Sequence, residues 1–157
     1  MVFVGESMSP TYHNHEITFT EPFSGIPYAG EVVTMNVGGS TIVKRIAFTP
    51  GEQYYQIRIG KEWLDATAIN LGRNPERFAK SIRKITVPKG FVYVLGDNEA
   101  VSMDSRAFGY VPIANILRKL VDQRENKSDY AATIYYHEKS VKPQTKFLAF
   151  AKTGIAD

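Results

Sequence analysis

Glu31-Val32-Val33-Thr34-Met35-Asn36-Val37-Gly38-Gly39-Ser40-Thr41-Ile42-Val43-Lys44-Arg45-Ile46-Ala47-Phe48 is two largely apolar arms joined by a glycine pair, and its reading decides the fold. Val32, Val33, Met35 and Val37 fill the first arm, and β-branched or apolar residues surround Lys44-Arg45 in the second. Such residues fit a pleated, half-buried surface. Adjacent glycines supply the positive φ angles of a tight hairpin turn. Glu31–Val37 is therefore predicted to fold back on Ser40–Phe48, and Pro50-Gly51 to end the second arm.

Working outward, the same signals recur. Upstream, Val2–Val4 reads as a short strand, Glu16–Thr20 alternates at period two, and Tyr28-Ala29-Gly30 turns into the hairpin. Downstream, Gln53–Ile59 and Glu62–Leu64 form a second hairpin about Gly60-Lys61. Phe91–Leu95 is a continuous apolar run fit for a buried strand, stopped by Gly96-Asp97-Asn98, and Val111–Val121 is the last clear element. The expected fold is all-β and mainly antiparallel, with little helix. Residues 65–84 are a polar excursion rich in Arg and Asn, with a helical turn expected around Pro75–Lys80. Past Gln123, Tyr130–Tyr136 and Phe147–Ala151 are candidate strands of a tail.

At 157 residues the chain can bury one real core but not two comfortable ones. Its net charge of +3, with no aromatic-interleaved basic stripe, argues against nucleic acid as a partner. The absence of cysteine removes disulfides, thiolate metal sites and cysteine nucleophiles. No stretch approaches the ~18–20 apolar residues that span a bilayer, and a signal peptide is not expected at residues that open directly on the serine stretch. Chemistry-bearing residues this close to residue 1 lead us to expect that a segment once preceded them.

Three stretches carry that chemistry. The first is Gly5-Glu6-Ser7-Met8-Ser9-Pro10-Thr11, in which glycine and proline can fix a serine hydroxyl at the end of a strand. Alone it is an ordinary turn. The second is Lys44. Successive side chains of a strand point to opposite faces, so Lys44 and Arg45 cannot both reach solvent, and we expect Lys44 to face inward. Burial disfavours its ammonium and draws it down from the ordinary ~10.4. A neutral amine beside a hydroxyl is the serine–lysine form of an activated nucleophile, a role closed to arginine. The third is Gly96 to Pro112, dense in small polar residues directly after a buried strand. There Ser102 could hold the Lys44 amine while Asp104 and Arg106 brace the loop.

Other candidates are weaker. His13 and His15 lack a third metal ligand, and no metal or cofactor is expected. A triad through His13, His15 or His137 is disfavoured. Arg73, Arg77, Lys80, Arg83, Lys84 and Lys89 form a basic stretch that is either solvated or leans on anionic lipid headgroups.

Taken in order, the three stretches resemble the bacterial type I signal peptidases, membrane-anchored serine endopeptidases with a Ser/Lys dyad. Ser7-Met8-Ser9-Pro10-Thr11 resembles that family's nucleophile box. Lys44-Arg45 with Pro50-Gly51 resembles its lysine box, and residues 96–112 its Gly-Asp-Asn…Ser-x-Asp-Ser-Arg box. Tyr28 to Val33 resembles the box between the first two. The resemblance implies a signal-peptidase catalytic domain over 1–122, with an excursion at 53–87, and a variable C-terminal extension over 123–157. It implies Ser7 as nucleophile, Lys44 as general base and Ser102 as the residue orienting the lysine. Asp97, Asn98, Asp104, Ser105 and Arg106 would be structural supports. Gly5 stands where part of the family has a serine, as in the Gram-positive branch, so the oxyanion would rest on backbone N–H groups at Ser7 and Gly5. Substrate would bind as an added strand along Phe3, Val4, Gly5, Ile42 and Val43, with Met8 lining a shallow pocket. Small residues at −1 and −3 of the leader follow.

The implied partners are signal peptides of exported preproteins, the lipid surface and the secretion machinery. The implied place is the extracytoplasmic side of a bacterial cytoplasmic membrane. Glu99, Phe48 and Glu52 depart from the pattern, and they keep open a pseudo-enzyme that binds export substrates without cutting. A self-cleaving repressor-type protease, which would need a target sequence upstream, is the more distant rival.

Overall fold

The computed structural model describes residues 1–65 and 81–128. Along the chain the elements are β1 (Thr20–Pro22), β2 (Val32–Val37), β3 (Ser40–Phe48), β4 (Gln53–Ile59), β5 (Glu62–Asp65), β6 (Ile82–Thr86) and β7 (Phe91–Leu95). A short helix α1 (Ser105–Phe108), β8 (Val111–Pro112), a 3₁₀ turn (Ile113–Asn115) and β9 (Ile116–Leu120) follow. The chain divides into two compact units. The first takes Met1–Glu52 with Val87–Ser128, and Gln53–Thr86 falls in the second.

In the first unit six strands form one antiparallel sheet in the order β1-β9-β2-β3-β7-β8. The hairpin β2–β3 lies at its middle, in the register Val37↔Ser40 to Val32↔Arg45. The pleat sorts the two faces. Val33, Met35 and Ile46 join Val92, Val94, Val111 and Ile116 in one core, against which Ile42 packs. Val32 joins Phe3, Met8, Tyr12 and Leu120 in a second core, against which Val43 packs. In the second unit, β4 pairs with β5 and β6 in a three-stranded antiparallel sheet. There the Arg83 guanidinium sits 4.2 Å over the Trp63 ring, which is how one residue of the basic stretch is placed.

Several expectations are corrected. Lys44 and Arg45 are both buried, at 5% and 2% exposure. The alternation argument assumed one solvated face, whereas here both faces of β3 are covered. Val2–Val4 is no strand: only an isolated bridge joins Val2 to Ile17, and Glu16–Thr20 contributes Thr20 alone to β1. The Phe3 N–H donates to Glu16 O and the His15 N–H to Phe3 O, a pairing too brief to make a ladder. Val111–Val121 is cut in three by the 3₁₀ turn that follows Pro112, a residue without an N–H to donate. Helix α1 was not foreseen. Its first turn is capped by Asp104, whose side chain accepts the Arg106 N–H. The turn expected at Pro75–Lys80, the strands expected at 130–136 and 147–151, and His137 lie outside the described residues.

Candidate active site

The serine loop is built on a glycine. Gly5 has φ +96°, a conformation that L side chains rarely adopt, and its N–H donates to Asn14 Oδ1 at 2.9 Å. Beyond Ser7 the chain turns tightly, with Ser9 N–H donating to Glu6 O and Tyr12 N–H to Met8 O; the Ser9–Pro10 bond is cis. Met8 and Tyr12 anchor this turn in the second core, where the Tyr12 ring stacks on Phe3 with centroids 4.9 Å apart. From the other side, the Asn98 N–H donates to Ser7 O at 2.8 Å and Asn98 Nδ2 to Glu6 O at 3.1 Å. The hydroxyl is held at both ends of its own residue.

Lys44 reaches this loop from β3. Its Nζ lies 2.8 Å from Ser7 Oγ. Burial pushes the lysine below its ordinary value, and the like charge of Arg106 acts in the same direction. The carboxylates of Asp104 and Asp97 oppose the shift. Desolvation is the largest influence, so the balance moves toward the uncharged amine relative to an exposed lysine. A neutral amine at this distance can accept the hydroxyl proton as the oxygen attacks, within the ~2.6–3.2 Å reach of general-base catalysis.

Around the pair stands a polar frame. Arg45 donates to both oxygens of Asp97 and also to Gly30 O. Asp104 Oδ2 accepts the Gly96 N–H at 2.9 Å, and Asp104 also receives the Arg106 guanidinium. Arg106 Nη1 lies 3.4 Å from Glu99 Oε1, so the unexpected acid at position 99 is buried beside a half-buried cation. Ser105 Oγ accepts the Val94 N–H at 2.8 Å and so joins α1 to β7. Phe48 packs edge-on against Tyr93, and Glu52 accepts from the Thr49 N–H and hydroxyl.

Other sequence-derived site residues are placed differently. The hydrogen bond expected between Ser102 and Lys44 is not made: Ser102 Oγ is buried with no partner among the described residues. It packs against Gly96, where an added Cβ would collide with it and would lie 2.6 Å from Ser7 O. The Gly5 N–H is committed to Asn14, so it is not open to an oxyanion, while the Ser7 N–H makes no hydrogen bond among the described residues. Phe3 and Met8 are core residues at 4% and 2% exposure. Val4 is exposed, and Ile42 and Val43 are half-buried. Residues 40–44 pair with β2 on one side, whereas β7 pairs with β3 only from Arg45 onward. Among the described residues no other strand covers that open edge.

Sequence reasoning missed Asn14, Gly96, Tyr12 and Arg124. Asn14 reads as a solvated loop between two histidines, and Gly96 as a plain strand stop. Tyr12 had a detectable signal, since a large aromatic two residues after a proline in a polar loop needs somewhere to be buried.

A family model described as signal peptidase, peptidase S26, matches residues 1–121. Thylakoidal processing peptidase 1, chloroplastic, of Arabidopsis thaliana is 27% identical over 136 residues, 86% of this chain and 40% of its own length. Mitochondrial inner membrane protease subunit 1 of Schizosaccharomyces pombe is 35% identical over 80 residues, 51% of this chain and 38% of its own. Signal peptidase I of Bacillus amyloliquefaciens is 29% identical over 114 residues, 65% of this chain and 62% of its own. This chain thus spans between 38% and 62% of the length of these relatives.

Proposed function

The chain belongs to the signal peptidase family, peptidase S26, and from that premise we propose that it is a serine endopeptidase removing leaders from exported preproteins. The observation that carries the reading is the 2.8 Å separation of the buried Lys44 amine from the half-buried Ser7 hydroxyl. Ser7 attacks the scissile carbonyl carbon while neutral Lys44 takes its proton. Lys44 then gives that proton to the leaving amine, and water, with Lys44 again as base, releases the acyl group. The Ser7 N–H is the donor available to the developing oxyanion. Ser102 turns its free hydroxyl to the Lys44 amine once substrate is bound. Asp97, Asn98, Asp104, Ser105 and Arg106 hold the loop in place, and no cofactor takes part.

The leader lies as an added strand between Val4–Gly5 and the open edge at Ile42–Val43. Backbone pairing supplies affinity, and shallow subsites select small residues at −1 and −3. Lipid contact falls to an exposed apolar surface of Val2 and Ile17, joined by their bridge, with Val4, Phe19 and Val121. No helix among the described residues is long and apolar enough to cross a membrane. The site faces the extracytoplasmic side, where leaders emerge from the secretion machinery. The departures at Glu99, Phe48 and Glu52 pack or pair within the frame, which gives the non-cutting alternative no support. Cleavage of a preprotein in lipid vesicles, with Ser7→Ala and Lys44→Met alongside, tests the reading. Wild type should cut and neither variant should; wild type as inert as both would establish the binding protein instead.

A further inference from the structure

Beyond the last residue matched by the family model, Gln123–Lys127 runs against Val32, Thr11, Tyr12 and Arg45 as a strap. Gln123 extends the pairing of β2 with a side chain: its Oε1 accepts the Val32 N–H, and its Nε2 donates to Val32 O, each at 2.8 Å. Arg124 then touches both halves of the dyad's support. Its Nη1 donates to Thr11 O at 2.9 Å, its Nη2 pairs with Glu16, and its guanidinium lies 4.7 Å over the Tyr12 ring. The Arg124 N–H donates to the Tyr12 hydroxyl at 2.9 Å, and that hydroxyl donates to Asp122 O at 2.7 Å. On the other side Arg45, neighbour of Lys44, donates to Arg124 O at 2.7 Å. Farther along, the Lys127 N–H donates to Thr11 Oγ1.

These bonds close a circuit. Ser7 O is held by Asn98, Asp97 next to Asn98 holds Arg45, Arg45 holds Arg124, and Arg124 holds Thr11 and Tyr12 of the serine loop. We infer that Arg124 is a positioning residue, fixing the loop that carries Ser7 against the strand that carries Lys44. The inference rests on the peptidase reading above. The Arg124 peptide group carries the bonds to Arg45 and to the Tyr12 hydroxyl, while its planar guanidinium serves the Thr11 carbonyl, the carboxylates of Glu16 and Asp122 and the Tyr12 face at once. A misplacement of about 1 Å at such a dyad lowers turnover by roughly 10²-fold. The Arg124 side chain is 29% exposed, so its loss should leave a folded protein.

The experiment compares wild type, Arg124→Ala, Arg124→Lys and Arg118→Ala on a synthetic peptide with alanine at −1 and −3. Arg118 bonds Thr20 on the neighbouring β1 and serves as a control for fold alone. For Arg124→Ala we expect kcat to fall by about 10- to 100-fold with KM within about twofold; Arg124→Lys should recover part of the loss. Arg118→Ala should lower Tm without lowering kcat. An Arg124→Ala enzyme with wild-type kcat, or one losing no more than Arg118→Ala, overturns the assignment. Should Arg124→Ala fail to fold, Glu16→Gln frees the guanidinium at one end and should still lower kcat severalfold; unchanged kcat there counts against it equally.

If wild type cuts nothing, the peptidase reading fails, and positioning is then read from the Cε resonance of Lys44 during a pH titration. The charged groups facing that amine are Asp104, Arg106 and Asp97. A looser loop admits water and raises the Lys44 midpoint in Arg124→Ala; an unchanged midpoint overturns the positioning role by itself.

Discussion

Arg45 meets Asp97 through two hydrogen bonds, Nε to Oδ1 at 2.9 Å and Nη2 to Oδ2 at 2.7 Å, and both side chains are shut away from water. This fork joins the strand of Lys44 to the loop whose next residue, Asn98, holds Ser7 O. Replacing one partner of such a pair leaves the other charge buried without compensation. Asp97→Asn is expected to destabilise the protein by about 3–5 kcal/mol. Urea unfolding of the variant checks this, and a loss under about 1 kcal/mol would mean that the fork behaves as a surface pair.

Lys44 predicts two pH dependences that run in the same direction. Activity needs the neutral amine, so kcat/KM should rise as pH climbs through the lowered Lys44 value and level off above it. Stability follows the same proton. Below the folded-state value the ammonium is charged both folded and unfolded, and its burial penalty is felt in full. Between that value and the unfolded ~10.4, the unfolded chain binds the extra proton, so stability rises with pH. Lys44→Met should therefore be inactive yet more stable than wild type at neutral pH. The gap in urea midpoint should close as pH approaches ~10.4; a constant gap would place a charged lysine in the site.

How much of this was legible follows from which signals are local. The β2–β3 hairpin, β4, β5 and β7 were readable because apolar patterning and glycine turns act within a few residues. Ser7 and Lys44, which lie 2.8 Å apart, were singled out by three stretches taken in order, the serine stretch by itself reading as an ordinary turn. Burial of Arg45 was not, because its compensation comes from Asp97, 52 residues away. The same holds for Tyr12 and Arg124, linked across 112 residues. Residues 123–128 carry no strand pattern at all. Their order comes from side chains and peptide groups that satisfy distant partners, and a window of neighbouring residues cannot display that.

Gly96 makes a steric prediction. Its N–H is held by Asp104, while a methyl group there would lie 2.6 Å from Ser7 O. Real side chains do not tolerate that approach to backbone oxygen, so Ser7 must move and loosen its bond to Asn98. Gly96→Ala should lose about 100-fold in kcat while circular dichroism still reports a β-fold. Near-normal turnover would show that the loop can yield without disturbing the hydroxyl.

Ser102 separates stability from catalysis. A buried hydroxyl without a partner carries a desolvation cost of about 1–3 kcal/mol. Deleting that hydroxyl leaves no new polar group unsatisfied, so Ser102→Ala should melt at the same temperature as wild type or higher. If Ser102 takes the proposed role of aiming the Lys44 amine during proton transfer, kcat should nevertheless fall by ~10-fold or more. Ser102→Thr keeps the hydroxyl and adds a methyl group beside Gly96, so it should melt lower and recover little activity. Thermal melts and steady-state kinetics on the same preparations decide the matter: a Ser102→Ala enzyme with full kcat assigns the aiming of Lys44 to Ser7 and the surrounding frame alone.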